Sequence, residues 1–94
     1  MRDPAVERQR AMDILSRAVD AAERLRPLFS DPAVQAFFDD QEQRLIDAMV
    51  DAKPTDDDAR RDAAIELQVW RKIRTSITKQ IQNGPRALKK LEAY

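Results

Sequence analysis

The 94-residue chain contains no cysteine and no histidine, and it has a single glycine. Without cysteine there is no disulfide, no thiolate nucleophile and no thiolate metal ligand, which suits a reducing compartment. Without histidine the commonest general base and the commonest zinc ligand are gone, and no Ser-His-Asp or Cys-His arrangement can be built. One glycine, Gly84, cannot supply a phosphate-cradling loop. Aromatic residues make up only 5% of the chain, so whatever core forms must be aliphatic and thin. No run approaches the roughly 20 apolar residues that span a bilayer, and strand-like alternation over β-branched residues is missing. No catalytic residue, cofactor site or metal site is expected, and no membrane association.

What is present reads as helix. Charged residues reach 36% and apolar residues 43%, the composition of a small single domain near the lower size limit for one core. The expected fold is all-α, with helices over about 4–26, 32–52 and 56–83. The tetrapeptide Asp-Pro-Ala-Val opens the first helix at residues 3–6 and the second at 31–34. In both, aspartate can accept from first-turn N–H groups, and proline at the first helical position loses no hydrogen bond. The sequences that follow the two copies differ in charge and apolar pattern, so the repeat is punctuation and not a duplicated module. The first helix is expected to stop before Pro27, because a residue preceding proline is pushed out of the α region.

The second helix carries Val34, Phe37, Phe38, Leu45, Ala48 and Met49 as its apolar stripe, interrupted by Gln41, which needs an edge position or a polar partner. Thr55 is the expected N-cap of the third helix, with Asp58 as the capping-box acid. Asn83-Gly84 followed by Pro85 reads as its C-cap. Residues 85–94 are then left as a short C-terminal helical tail, free to be mobile. Residue type alone leaves magnesium binding or two-carboxylate hydrolysis open at Asp56-Asp57-Asp58, but three acids at a helix start complement the dipole and need no ligand.

The third helix is longer than its partners can cover. Its apolar set (Ala63, Ile65, Leu67, Val69, Trp70, Ile73, Ile77 and Ile81) spans roughly 200° of the helical wheel, wider than one packed face requires. Trp70, Ile73, Ile77, Ile81 and Glu66 are therefore the candidate partner contacts. Trp70 can be core or a binding hot spot. Glu66, near the middle of the apolar arc, either pairs with a basic residue such as Arg44 or is a desolvated carboxylate that sets a partner's register.

Charge is segregated along the chain. Residues 1–30 carry six basic and five acidic side chains, residues 31–58 two and nine, and residues 59–94 nine and three. Arg60, Arg61, Arg71, Lys72, Arg74 and Lys79 form a candidate basic face on the third helix. That face either meets nucleic-acid phosphates or is neutralised by the acidic second helix, within the fold or head to tail between copies.

From Asp31-Pro32 onward the chain resembles a family of short helical proteins encoded in tailed phages and prophages among head and packaging genes. The resemblance is carried by Gln35, Phe38, Glu42, Leu45 and Ile46, then by Asp58, Arg60, Leu67, Trp70, Arg71 and Arg74. It ends with Ile81, Gly84, Ala87 and Leu91. It implies a non-enzymatic role in virion (head or connector) assembly, or an accessory one, through contact with itself as a homo-oligomer or with a larger phage structural protein. The place of action it implies is the cytoplasm of the bacterial host, with incorporation in the virion as a further step. The alternatives are a small nucleic-acid-binding or packaging factor, and a phage inhibitor of a host protein.

Overall fold

The computed structural model describes residues 3–94 and is all-α: α1 spans Pro4–Phe29, α2 Pro32–Asp51 and α3 Asp57–Glu92. No strand occurs among the described residues. Both Asp-Pro helix starts form for the expected reason. The Asp3 carboxylate accepts from the Ala5 N–H at 2.9 Å, and the Asp31 carboxylate accepts from the Ala33 N–H at 2.8 Å. Their carbonyls accept the first helical bonds, from Glu7 and Gln35, at 3.1 Å each.

Three helix boundaries differ from the sequence expectation. α1 does not stop before Pro27 but includes it and closes at Phe29. In the last turn a proline forfeits one i→i−4 bond without a following helix to kink, so the cost is small there. α3 starts at Asp57, and its cap is Asp56, not Thr55: the Asp56 carboxylate accepts from the Ala59 N–H at 3.1 Å. Asp58 consequently is no capping-box acid and pairs with Arg61 at 2.7 Å.

The third difference is the largest. α3 runs through Asn83-Gly84-Pro85 to Glu92, 36 residues or about 54 Å at 1.5 Å per residue, so residues 85–92 are its last turns and no separate tail exists. A glycine C-cap needs a left-handed residue, and Gly84 has no positive φ. Gly84 serves packing instead. It is buried, and a Cβ added to it would lie 2.3 Å from the Cβ of Ala22 on α1. It also lacks the Cβ that clashes with a following proline in the α region, which lets the helix pass Pro85.

The chain packs as two compact units. Unit 1 joins residues 1–28 to residues 77–94, and unit 2 is residues 29–76. In unit 1, α1 lies antiparallel to the last turns of α3. Ala22, Gly84 and Ala87 are buried, a stripe of small residues that permits close helix approach. At the end of this pair the Arg8 guanidinium donates to the Tyr94 carbonyl at 3.0 Å and sits 5.8 Å from the centre of the Tyr94 ring.

Unit 2 is an antiparallel helical hairpin of α2 and the first turns of α3. Its core is Leu45, Ala63 and Leu67, with Ile46, Met49 and Trp70 packed against it. Leu45 is 2% exposed, and burying such a side chain is worth about 1.5–3 kcal/mol. Beyond the end of α2, Arg60 gathers the carbonyls of the C-cap Ala52 and of the turn that follows. Its guanidinium donates to the carbonyls of Lys53 at 2.8 Å, Pro54 at 2.9 Å and Ala52 at 3.4 Å, and pairs with Asp57 at 2.6 Å. One side chain therefore fastens the α2–α3 turn.

Candidate contact surface

The two sides of the unit 2 hairpin differ in chemistry. On one side α2 presents Gln35, Asp39 and Glu42, and α3 presents Arg71 and Arg74. Arg74 donates to the Asp39 carboxylate at 2.8 Å and to the Gln35 side-chain oxygen at 2.7 Å, and lies 3.5 Å from Glu42. Arg71 reaches Glu42 at 3.7 Å, and the Arg74 guanidinium also lies 5.7 Å from the centre of the Phe38 ring. This side is a polar seam that holds α2 on α3.

The candidate basic face is largely consumed by such contacts. Arg71 and Arg74 are engaged by α2, Arg60 closes the turn, and Arg61 pairs with Asp58 in the first turn of its own helix. Of the six residues, only Lys72 and Lys79 have no ion-pair partner among the described residues. The acidic run Asp56-Asp57-Asp58 is likewise used locally, as a cap and two i,i+3 pairs. No group of three acidic side chains among the described residues is arranged to hold a metal.

The other side of the hairpin carries exposed apolar side chains beside the Arg44–Glu66 ion pair. Ile65, Val69 and Ile73 follow one another at four-residue intervals along α3 and are 54%, 50% and 43% exposed. Phe37 on α2 is 50% exposed and packs edge-on against Trp70, with ring centres 5.7 Å apart. Four large apolar side chains of this two-helix unit are thus about half exposed.

The candidate partner contacts fall into different environments. Trp70 is half-buried: its ring meets Phe37 and Phe38 edge-to-face, and it lies on the Leu45–Leu67 core. It lies next to the exposed Phe37. Glu66 is bonded to Arg44 at 3.0 Å, and both side chains are about half exposed (50% and 53%). Arg44 also donates to the side-chain oxygen of Gln41, the polar partner that residue required. Ile73 belongs to the half-exposed set. Ile77 and Ile81 are half-buried and belong to unit 1.

Sequence reasoning placed Phe37 with the core stripe and left Ile65 and Val69 out of the contact set. The signal was present in the excess width of the α3 apolar arc. Positions 65, 69 and 73 drift only about 40° per step, so they form one narrow line at the edge of that arc. Comparison with protein-family models, with characterised proteins and with solved structures finds no match for this chain.

Proposed function

We propose that the protein is a non-enzymatic helical contact protein, and that it serves as an assembly or accessory component of a phage particle. The observation that carries the contact function is the set of half-exposed large apolar side chains Phe37, Ile65, Val69 and Ile73 on unit 2. Scattered exposed apolar residues are ordinary, but a contiguous apolar strip rimmed by charge marks an interaction surface. At the Phe37 end the partner would meet the half-buried Trp70, an aromatic residue of the kind that concentrates binding energy. The phage assignment is supported by the resemblance of residues 31–91 to short phage-encoded helical proteins. Engagement of four of the six candidate basic residues within the fold favours protein contact over phosphate contact.

The test compares wild type with Val69→Asp in particles produced by the strain that carries the gene. Val69 is half exposed, so the substitution leaves the fold intact, which thermal melts of the two purified proteins verify. Wild type present in purified particles at a fixed copy number, with Val69→Asp absent, supports the reading. Absence of both from the particles and from their assembly intermediates refutes the virion role.

A further inference from the structure

The two compact units carry opposite charge. Residues 1–28 and 77–94 hold ten basic and six acidic side chains, a net of +4; residues 29–76 hold seven and eleven, a net of −4. A chain with no net charge is therefore a positive body and a negative body joined together. Each body also bears a partly exposed apolar feature. Unit 2 has the Phe37–Ile65–Val69–Ile73 line. Unit 1 has a groove of about 510 Å³ lined by Ala11, Ile14, Leu15, Lys90, Ala93 and Tyr94, in which Ile14 is 67% exposed.

The units that bear these features are complementary in net charge, and some of the charge lies beside the features. Asp40 follows Phe37 by three residues and Asp62 precedes Ile65 by three; Lys72 follows Val69 by three and Arg61, paired with Asp58, precedes Ile65 by four, so the negative sign belongs to the unit as a whole. Arg10 and Arg17 flank Ile14 at four and three residues, and Lys90 lines the groove itself. Asp40, Asp62, Lys72, Arg10, Arg17 and Lys90 are exposed, and none of them has an ion-pair partner among the described residues.

We infer that the occupant of the apolar line is a second copy of this chain, which offers its Ile14–Tyr94 groove, so that copies join head to tail. This rests on the contact function proposed above and adds the partner's identity and orientation. The interface is heterologous: one copy gives its negative unit, the next its positive unit, and the series either closes into a ring or continues. The opposite net charges of the two units steer the encounter and fix its direction, while two units of net −4 oppose line-on-line pairing. The attraction between the two units weakens as salt shortens the screening length from about 14 Å near 50 mM to about 4 Å near 500 mM.

Sedimentation velocity on the full chain tests this with Val69→Asp, which disables the line, and Ile14→Asp, which disables the groove. Helical content and melting temperature of each are checked against wild type; Val69→Ser and Ile14→Ser replace any variant that fails this check. Wild type is expected to gain mass with concentration at low salt and to lose that gain at high salt. Each variant alone is expected to stay at the mass of one chain. An equimolar mixture is expected to form a species of twice that mass, because one partner keeps the line and the other the groove. If Ile14→Asp associates like wild type while Val69→Asp does not, head-to-tail joining is wrong and the contact function stands. A mixture that stays at one-chain mass while wild type associates also overturns the inference. So does wild type that remains a single chain up to about 1 mM, the level of the weakest useful affinity.

Discussion

Gly84→Ala is the substitution whose direction separates two accounts of this residue. An alanine in a helix interior is about 1 kcal/mol better than a glycine, so a glycine with no spatial role should be stabilised by the change. Here the new Cβ would stand 2.3 Å from the Cβ of Ala22, against the 3.4–4 Å of ordinary contact. The atoms met are a methyl group and, at 3.8 Å, the Ala22 Cα, so no flexible side chain can turn away. α1 and α3 must separate by more than 1 Å at their tightest crossing, an overpacking cost of about 1–3 kcal/mol. The following Pro85 adds to this, because any residue with a Cβ before proline is disfavoured in the α region.

The net expectation is destabilisation of about 1–2 kcal/mol, or a Tm lowered by roughly 4–15 °C for a chain of this size. Thermal and urea melts followed by far-UV circular dichroism read it directly. The double variant Ala22→Gly with Gly84→Ala moves the space to the other helix, and the two propensity changes of about 1 kcal/mol cancel. It is expected to recover most of the loss, with a favourable coupling of at least about 1 kcal/mol in the double-mutant cycle. A raised Tm for Gly84→Ala, or additive single effects, would refute the close-approach account.

Other perturbations follow from the same contacts. Arg60→Ala uncaps the carbonyls of residues 52–54 and is expected to cost about 1–2 kcal/mol in a urea melt; Arg60→Lys should recover only part of it, since one ammonium cannot reach the same fork of acceptors. Arg74→Ala removes contacts to Asp39, Gln35 and Glu42 together and should destabilise more than Arg61→Ala, whose exposed pair with Asp58 is worth at most about 0.5 kcal/mol; parallel melts rank them. Trp70→Ala is expected to lower stability by about 2–3 kcal/mol, less than full burial implies, because the residue is only half covered. Pro85→Ala restores an N–H for the Ile81 carbonyl and is expected to raise the Tm, with a gain of about 1–3 kcal/mol.

Much of this architecture is legible in residue order because its causes are local. Asp31-Pro32 starts a helix with atoms only two to four residues apart, and the acidic α2 beside the basic α3 yields the Arg74–Asp39 pair once the hairpin closes. The choice of Glu66 and Arg44 as partners also follows from charge and helix phase. Gly84 illustrates the opposite case. Asn-Gly-Pro is the usual signature of a helix end, and nothing local distinguishes a cap from a crossing point. The deciding fact is Ala22, 62 positions earlier, which sequence order does not bring near. Asp56 and Thr55 are both competent caps one residue apart, and their spacing alone does not say which one the turn, closed by the Asp56 N–H on the Lys53 carbonyl, places at the helix start. The spacing of Phe37 fits the α2 stripe and so points to the core. Its exposure depends on how many helices the hairpin has to pack against, a property of the fold and not of the spacing.

The division of α3 between two units has a consequence for the order in which the protein is made. Unit 2 is one uninterrupted stretch, residues 29–76, whose contacts close over short loops. Unit 1 needs both ends of the sequence, since α1 finds its partner only in residues 77–94. Closing the smaller loops first is entropically cheaper. During synthesis the hairpin is therefore expected to be complete while α1 still waits, its Ala22 face bare, for Gly84 and Ala87 to emerge.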